Sequence, residues 1–317
     1  MSNPSPEASY IGVDVSGTTL NAALVAAGGR VVERREQALE RDGLAAQVAR
    51  VVSELRDATG APVSAVGVGV TGLVNPKTRR VVVSTDLPAL VRTDLRAEIA
   101  GATGLEVLIE NDANAAAYGE FVAGAGAGSR NLFYVTIGTG IGGALVLDGR
   151  LWRGDSGFAG EFGHITIDPD GSECVCGNTG CLETVASGPN IVRRTRDRLM
   201  RDSTSSLSRL GLKRDFTAAD VAQAANDGDD FALLMLERTG RYIGTAIAAV
   251  INLLNIERVV LGGVIMEAGA LILDPITREA RKRAFQPSFE STQIIAATLA
   301  RDAVPVGAAM LARDATK

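Results

Sequence analysis

The segment Tyr10-Ile-Gly-Val-Asp-Val-Ser-Gly-Thr-Thr-Leu-Asn-Ala-Ala-Leu-Val25 decides how this chain is organised. It contains an apolar run, a turn of small residues and a second apolar run, which is the pattern of a β-hairpin. Residues 132–146, Leu-Phe-Tyr-Val-Thr-Ile-Gly-Thr-Gly-Ile-Gly-Gly-Ala-Leu-Val, repeat this design about 120 positions later. A turn without bulky side chains lets backbone amides approach an anion closely. The repeat therefore predicts two related domains with the phosphate tail of a nucleotide between them.

The rest of the chain alternates between helix and strand patterns. Residues 43–59 carry apolar side chains at helical spacing, residues 63–70 read as a buried strand, and residues 113–123 begin another helix. A long helical pattern at 230–255 leads into a strand at 258–261. Alternation of this kind predicts an α/β fold whose sheets are largely covered by helices.

Charge and hydropathy exclude several classes of partner. The net charge of −5 and the lack of a basic stripe predict that the protein binds neither nucleic acid nor a membrane surface. Residues 1–9 lack the charged and apolar regions of a signal peptide and are expected to form a disordered tail. The longest apolar stretch, residues 244–254, is far shorter than the roughly 20 residues that span a bilayer. These features predict a cytoplasmic protein.

The only histidine and all three cysteines of the chain fall close together, as His164-x9-Cys174-x-Cys176-x4-Cys181. Structural zinc sites use four such ligands in a tetrahedron, and Cys3His is a common set. Because four protein ligands leave no position open for water, the pattern predicts a structural zinc rather than a catalytic one. The alternative, three buried thiols beside a core histidine, does not explain why these residues cluster.

Two carboxylates flank this cluster. Glu161 precedes His164 by three residues, and Glu183 follows Cys181 by two. A metal that fixes the backbone beside them would hold both carboxylates rigidly as acceptors for the hydroxyl groups of a sugar. A zinc-bound His164 would also keep one ring nitrogen that can face a hydroxyl group.

An Asn-Asp pair, Asn111 and Asp112, stands where a strand pattern changes to a helix pattern. Ligands collect at the carboxyl ends of strands in α/β folds, and phosphoryl transfer to an alcohol needs a carboxylate to accept the hydroxyl proton. Asp112 is therefore the candidate general base, with Asn111 orienting the same hydroxyl group. Asp112 also fits the role of a helix N-cap, and the two roles are compatible.

Further residues point to a nucleotide. Asp14 precedes the first hairpin turn and is predicted to hold, through water, the Mg2+ that bridges nucleotide phosphates. A strand pattern ends at Gly262 and Gly263, where an adenine ring would find room. The sequence contains neither a P-loop nor a dinucleotide-binding glycine motif in the right context, so ATP would bind in a different cradle.

Together these residues resemble the ROK family, which comprises sugar kinases and related repressors. The resemblance runs from Ile11 to the closing Gly307-Ala-Ala. The segments that carry it are Asp14-Val-Ser-Gly-Thr-Thr19, Glu110-Asn-Asp-Ala-Asn-Ala-Ala-Ala-Tyr-Gly-Glu120, Ile137-Gly-Thr-Gly-Ile-Gly-Gly143, Gly157-Phe-Ala-Gly-Glu-Phe-Gly-His164 and Cys174-x-Cys-Gly-x-x-Gly-Cys-Leu-Glu183.

The resemblance implies a two-domain actin-like ATPase fold, of ribonuclease H-like α/β class, with an interdomain cleft. A smaller N-terminal domain would comprise residues 1–117. A larger C-terminal domain with the zinc motif would comprise residues 118–299. A last helix, about residues 300–317, would return to the first domain. Family members are often dimers or tetramers, so a homodimer or homotetramer is expected.

The resemblance also implies an activity, the ATP-dependent phosphorylation of a hexose hydroxyl group, usually at C6 of glucose or a related hexose, with Asp112 as the base. The residues expected to hold the sugar are Asn111, Glu161, His164, Glu183, Gly72 and Asp86. The residues expected to hold Mg-ATP are Asp14, Ser16, Gly17, Thr18, Thr19, Gly138, Thr139, Gly140, Gly262 and Gly263.

The sequence departs from the family pattern at three places. The first hairpin usually reads Asp-x-Gly-Gly-Thr, and Ser16 replaces the first glycine. Residues 84–90, Ser-Thr-Asp-Leu-Pro-Ala-Leu, stand where many family kinases have Asn-Leu-Pro-Gly-Trp, and Thr71-Gly72 stands where Pro-Gly is frequent. Because the loop at residues 84–90 would help to shape the sugar side of the cleft, Asp86, Ala89 and Leu90 leave the identity of the sugar open.

Two other functions compete with a hexokinase. Family repressors carry a winged helix-turn-helix ahead of the first hairpin, whereas nine residues precede Tyr10 here, so DNA binding is not expected. A catalytically weak or silent sugar sensor of the same family is favoured by Ser16 and the changed loop at Asp86, and opposed by the intact Asp112. The sequence also leaves open whether ATP or polyphosphate is the phosphoryl donor.

Overall fold

The computed structural model describes residues 8–16, 18–60, 62–200, 204–212 and 214–316. The tail expected at residues 1–9 lies outside these ranges except for Ala8 and Ser9, and Ser9 belongs to the first strand. The strands are β1 (Ser9–Val15), β2 (Thr19–Ala26), β3 (Val31–Ala38), β4 (Val63–Val70), β5 (Leu73–Val74), β6 (Val81–Val83), β7 (Glu106–Asn111), β8 (Leu132–Ile137), β9 (Ile141–Leu147), β10 (Arg150–Trp152), β11 (Arg258–Gly262) and β12 (Gln293–Ala296).

Helices connect and cover these strands. They are α1 (Leu44–Thr59), α2 (Leu95–Thr103), α3 (Asp112–Ala123), α4 (Glu183–Ala186), α5 (Gly188–Leu199), α6 (Ser206–Gly211), α7 (Ala218–Asn226), α8 (Asp230–Leu254), α9 (Ala270–Arg283), α10 (Gln286–Glu290) and α11 (Ala303–Ala315). Among the described residues, no helix combines the length and the apolar character that crossing a membrane requires.

Each predicted hairpin begins a five-stranded sheet. β1 and β2 are antiparallel, and β4 joins β1 in parallel, within the order β3-β2-β1-β4-β7. The second sheet has the order β10-β9-β8-β11-β12, in which β11 is parallel to β8. In both sheets the first strand of the hairpin therefore lies between its partner and a parallel strand, and the predicted α/β class is confirmed.

The chain divides into two compact units. The first comprises residues 1–130, 144–160 and 297–317, and the second comprises residues 131–143 and 161–296. The domain ranges expected from the family resemblance stay predictions.

Alternate residues of β1 face two different helix layers in the first unit, as the two-residue period of a strand requires. Ile11 and Val13 are buried in a cluster that includes Val48 and Leu55 of α1. Tyr10 instead packs in a cluster with residues of α11. Both faces of β1 are covered, which is why its sequence lacks polar alternation.

Helix α11 lies in direct backbone contact with the sheet and with α3. A Cβ atom on Gly12 of β1 would lie 1.7 Å from Pro305 O, and one on Gly67 of β4 would lie 1.9 Å from Ala308 O. Gly307 of α11 approaches α3 in the same way. No side chain fits at these separations, so the backbone of α11 packs directly on both elements. This contact fixes the position of the sheet and of α3, the helix that begins at Asp112.

We expect the substitution Gly67→Ala to lower the thermal unfolding midpoint clearly, because the added methyl group must push α11 away from β4. Overpacking of this kind costs about 1–3 kcal/mol. Gly101→Ala is the matched control, since no atom lies within 4 Å of a Cβ atom there and alanine favours the helical conformation of α2. Circular dichroism melting curves measure both variants, and an unchanged midpoint for Gly67→Ala would contradict the close contact.

Candidate active site and metal centre

Asp112 is the first residue of α3 and directly follows β7. The N-cap of this helix is Asn111, because its side chain accepts a hydrogen bond of 2.9 Å from Asn114 N–H. The suggested N-cap role of Asp112 is therefore wrong. The Asp112 carboxylate is therefore available for other hydrogen bonds at the carboxyl end of β7, where α/β proteins bind ligands.

Three donors hold the Asp112 carboxylate. Ala113 N–H and the Asn111 amide group donate to Oδ1 at 2.9 and 3.0 Å, and the Thr71 hydroxyl group donates to Oδ2 at 3.3 Å. Burial raises the pKa of Asp112 to about 6, the hydrogen bonds oppose this shift, and the negative charge of Asp86 adds to it. A carboxyl group that titrates near neutral pH can take up a proton and release it again.

Most hydrogen-bonding positions of the Asn111 side chain are occupied by groups of the protein itself. Its amide nitrogen donates to Gly72 O and to Asp112 Oδ1, both at 3.0 Å, and its oxygen accepts the hydrogen bond of the N-cap. An asparagine side chain has two N–H donors and two lone pairs on its oxygen. These contacts leave Asn111 one lone pair with which to bind a substrate hydroxyl group.

The loop that departs from the family pattern exposes only some of its changed residues. Leu90 is buried in the core of the first unit, whereas Asp86 and Ala89 are exposed. The backbone carbonyl of Asp86 accepts a hydrogen bond of 3.3 Å from Arg41. The Asp86 carboxylate is the part of this loop whose charge acts on Asp112.

Asp14 lies near the carboxyl end of β1 and is buried. The amide and hydroxyl groups of Ser16 both donate to its Oδ1, at 2.9 and 2.6 Å. Burial raises the pKa of Asp14 to about 7, the Ser16 hydrogen bonds oppose this shift, and the negative charge of Asp112 adds to it. The Ser16 amide thus faces the carboxylate of its own turn, although the sequence predicted that it would face a phosphate.

The rest of the first hairpin turn is only partly described. Gly17 lies outside the described residues. Thr18 is exposed, and its carbonyl accepts a hydrogen bond from Leu39 N–H at 2.9 Å. Thr19 begins β2, and its hydroxyl oxygen accepts a hydrogen bond of 3.3 Å from Asn21.

The second hairpin turn binds a carboxylate as well. Ile141 N–H donates to Glu183 Oε2 at 2.8 Å, so the predicted sugar ligand Glu183 lies against this turn. Gly138 N–H donates to Gly140 O at 2.9 Å inside the turn, and Thr139 is exposed. The Gly138 amide is therefore occupied within the hairpin.

Gly262 and Gly263, at the end of β11, pack against β8. A Cβ atom on Gly262 would lie 2.5 Å from the Tyr134 hydroxyl oxygen, and one on Gly263 would lie 2.3 Å from Ile137 O. Packing against the neighbouring strand is thus a sufficient reason for both glycines.

The four predicted zinc ligands converge in the second unit. His164 Nδ1 lies 3.6 Å from Cys174 Sγ, and Cys176 Sγ lies 3.7 Å from Cys181 Sγ. All four ligand atoms lie within 4.8 Å of one another. A zinc–sulfur distance of about 2.3 Å gives a tetrahedron with edges of about 3.8 Å, so the donor set can hold a metal ion.

The cysteine thiols of this cluster differ in acidity. Burial, followed by hydrogen bonds to Cys174 and Cys176, raises the pKa of the Cys181 thiol to about 12. A backbone hydrogen bond at Asn178 lowers the pKa of the exposed Cys176 thiol, and the thiolate is the form that binds metals. His164 Nε2, the ring nitrogen opposite to the ligand atom, lies 3.9 Å from Glu161 Oε2. Glu161 and the free edge of the imidazole ring are therefore neighbours.

The sequence did not single out a charged network behind Asp112. Glu110 of β7 is buried, and its Oε2 accepts hydrogen bonds of 2.8 and 2.6 Å from Arg153, with Arg79 at 3.4 Å. Its Oε1 accepts from Asn111 N–H and from the Asn114 amide group, both at 3.1 Å. The only signal in the sequence is a charged residue that ends an apolar strand.

Within the first unit, the structure thus places Asp14 and Asp86 where their charges interact with Asp112, and it joins Gly72 to the same network. Within the second unit, it brings Glu161 next to His164, and Glu183 to the hairpin turn at Gly140. Thr71, which contacts Asp112, was visible in the sequence only as a departure from Pro-Gly.

A family model described as the ROK family matches residues 10–315. The chain belongs to the ROK family. The glucokinase of Thermotoga maritima is 35% identical over 315 residues, which is 98% of each chain. The xylose repressor of Bacillus subtilis is 28% identical over 313 residues, which is 96% of this chain and 77% of the repressor.

Solved structures agree with this assignment. A ROK family glucokinase from Streptomyces griseus, in complex with glucose and AMPPNP, superimposes with a TM-score of 0.85 at 33% identity. The match covers 96% of this chain and 99% of that chain. The fold class expected from the resemblance to the ROK family is therefore confirmed.

We expect Arg153→Met to destabilise this ROK protein by about 3 kcal/mol, because the buried Glu110 would lose its shorter ion pair and keep the one with Arg79 at 3.4 Å. Removing one partner of a buried ion pair costs about 3–5 kcal/mol. Arg50→Met is the matched control, since Arg50 pairs with Glu40 on the surface, where an ion pair contributes about 0–1 kcal/mol. Urea unfolding measures both, and equal midpoints for the two variants would contradict a role for the buried pair.

Proposed function

We propose that this chain is an ATP-dependent hexokinase that phosphorylates a hydroxyl group, at C6, of glucose or a related hexose. The observation that carries the proposal is Asp112, a carboxylate at the end of β7 whose pKa is raised to about 6. Support comes from the glucokinase of Thermotoga maritima and from the Streptomyces griseus glucokinase in complex with glucose and AMPPNP.

In the proposed reaction, Oδ2 of Asp112 takes the proton of the sugar hydroxyl group while the hydroxyl oxygen forms a bond to the γ-phosphorus of ATP. The bond between that phosphorus and the bridging oxygen breaks, and ADP leaves with the electron pair. Asp112 then releases its proton to water, which a pKa of about 6 allows at neutral pH.

Asp14 is proposed to hold the Mg2+ of Mg-ATP through water. The residues fit such an ion, because Asp14 is buried beside the negative charge of Asp112 and a cation would offset the resulting repulsion. The ion would supply neutralisation of phosphate charge. The two hydrogen bonds from Ser16 would keep the Asp14 carboxylate in one orientation.

The proposed sugar contacts include the carboxylates and the histidine beside the Cys3His cluster. A hydroxyl group that accepts from His164 Nε2–H and donates to Glu161 would use the neighbouring positions of these two groups. Glu183 would accept from a second hydroxyl group while Ile141 N–H holds its carboxylate. The remaining proposed sugar contacts are Asn111, Gly72 and Asp86.

The nucleotide is proposed to bind at the two hairpins and at the end of β11. Because Ser16 and Gly138 use their amides within the turns, the proposal for them requires those hydrogen bonds to exchange when phosphate binds. The other proposed nucleotide contacts are Gly17, Thr18, Thr19, Thr139, Gly140, Gly262 and Gly263.

The metal of the Cys3His cluster is proposed to be a structural zinc. Four protein ligands with soft donor atoms complete a zinc coordination sphere without water. The proposed zinc would fix the backbone at His164 and Cys181, and with it Glu161 and Glu183. The domain ranges 1–117 and 118–299, the return of residues 300–317, and the homodimer or homotetramer complete the proposal.

A coupled assay of ADP release tests the proposed function. With Mg-ATP, we expect turnover of at least one sugar among glucose, mannose, fructose, allose, glucosamine and the N-acetylhexosamines. Asp112→Asn should lower kcat by about 10³-fold or more and leave sugar binding largely intact, because the amide cannot accept the proton. Silence of folded, zinc-loaded protein across the panel would favour the sugar sensor instead, and polyphosphate in place of ATP tests the donor.

Zinc removal should weaken sugar binding more than nucleotide binding. We expect chelation to lower the affinity for the best sugar of the panel by about 10-fold or more, because Glu161 and Glu183 lose their support. The affinity for AMPPNP should change by less than about 2-fold, since its proposed contacts lie outside the cluster. Calorimetric titration before chelation, after it and after zinc is restored measures both. Unchanged sugar affinity would mean that the metal only stabilises the fold.

A further inference from the structure

The hydroxyl group of Thr71 lies next to Oδ2 of Asp112, which is the oxygen that would accept the proton. We propose that Thr71 is a positioning residue, which uses its hydroxyl group to hold the Asp112 carboxylate in its ionised form with Oδ2 facing the substrate. The role in catalysis rests on the proposed function, whereas the hydrogen bond itself does not.

The contact follows from the register of two parallel strands. Val70 of β4 pairs with Asn111 of β7, so the residues that follow them, Thr71 and Asp112, leave the sheet side by side. The Thr71 hydroxyl group donates to Asp112 Oδ2 at 3.3 Å. This is a long hydrogen bond, and catalytic hydrogen bonds in ligand-free enzymes are often long.

Side-chain donors hold the backbone carbonyls of Thr71 and of the residue that follows it. The Ser84 hydroxyl group donates to Thr71 O at 2.8 Å, and the Asn111 amide group donates to Gly72 O at 3.0 Å. Gly72 has a φ of 123°, and a Cβ atom there would lie 2.2 Å from Val83 O. Only glycine fits at this position, and the resulting turn fixes the direction of the Thr71 side chain.

The hydrogen bonds of Asp112 leave Oδ2 as the oxygen that can react. A carboxylate oxygen offers about two lone-pair positions. Oδ1 already accepts from Ala113 N–H and from the Asn111 amide group. Thr71 occupies one position of Oδ2 and leaves the other for a hydroxyl proton. Thr71 therefore fixes the plane of the carboxylate without blocking the reactive lone pair.

The Thr71 hydroxyl group is a neutral donor that acts against the charges around Asp112. Burial and the negative charge of Asp112 raise the pKa of Asp14 of β1. Two effects disfavour a negative charge on Asp112 itself, its burial and the carboxylate of Asp86 in the loop after β6. The hydrogen bond from Thr71 opposes them, together with the backbone hydrogen bonds at Asp112 and Ala113. A donor to a carboxylate stabilises the ionised form, so losing it raises the pKa of the base.

The test compares Thr71→Val, which keeps the shape but removes the hydroxyl group, with Thr71→Ser, which restores it. We expect Thr71→Val to lower kcat by about 10-fold, with less than about 2-fold change in KM for sugar or ATP, as the loss of a hydrogen bond to a charged group implies. The acid limb of the kcat profile should move to higher pH. Thr71→Ser should recover most of both losses.

Thr103→Val is the control, because the Thr103 hydroxyl group bonds only to backbone at the end of α2. It should leave kcat and the pH profile unchanged, and melting curves check that all variants fold. The profiles are recorded at saturating Mg-ATP, where a bound cation favours ionised Asp14 and the limb reports Asp112.

A second readout does not depend on turnover. Carbon-13 NMR titration of the aspartate carboxyl groups, with the Asp112 signal assigned through Asp112→Asn, should give a higher pKa for Asp112 in Thr71→Val than in wild type. Equal pKa values or a wild-type kcat profile in Thr71→Val would overturn the proposal for Thr71. Wild-type protein that is silent on every sugar would instead overturn the proposed function, and the titration would still decide the hydrogen bond.

Discussion

The arrangement of the first unit depends on the direct backbone contact between α11 and its neighbours. Side chains normally separate packed elements, but Gly12 and Gly67 let α11 touch the sheet directly, and Gly307 lets it touch α3. The last helix of the chain is thereby packed against strands formed near its beginning. Because α3 is held by the same helix, the position of Asp112 depends on residues about 200 positions away.

Around Asp112, burial and hydrogen bonding act in opposite directions. Burial and the carboxylate of Asp86 favour the protonated acid, while donors on Ala113 and Thr71 favour the anion. The outcome is a group whose pKa of about 6 lies between those of an exposed aspartate and a permanently neutral acid. A site with this balance suits reversible proton transfer at neutral pH.

The buried carboxylate of Glu110, two residues before Asp112, has different partners. Glu110 is buried with two arginines, so its carboxylate stays paired and is suited to structure rather than to proton transfer. Its second oxygen accepts from Asn111 N–H and from the Asn114 side chain, and thereby joins the end of β7 to the first turn of α3. Neighbouring carboxylates thus have separate roles because their donors differ.

In the second unit, the segment between Ile165 and Leu182 has isolated bridges, at Thr166 and Glu173, but no strand or helix longer than one turn. A segment of this kind buries little apolar surface of its own, and a metal ion can replace the missing core. The same ligands would define the position of the adjoining carboxylates. The metal cluster would then both stabilise the fold and position the residues that bind the ligand.

The sequence by itself determined the two hairpins, the α/β class, the Cys3His set and the placement of Asp112 at a strand–helix junction. These features are local, since periodicity, turn composition and ligand spacing are all read within about twenty residues. Tertiary structure decided that Asn111 is the helix cap, that Arg153 pairs with Glu110, that Ser16 and Gly138 use their amides within their turns, and that Thr71 contacts Asp112. Two of these contacts join residues 41 and 43 positions apart, and strand register or loop packing sets them. A tight turn sets register within a hairpin, but β4 and β7 are parallel strands joined by a long connection, so their register is a property of the tertiary structure.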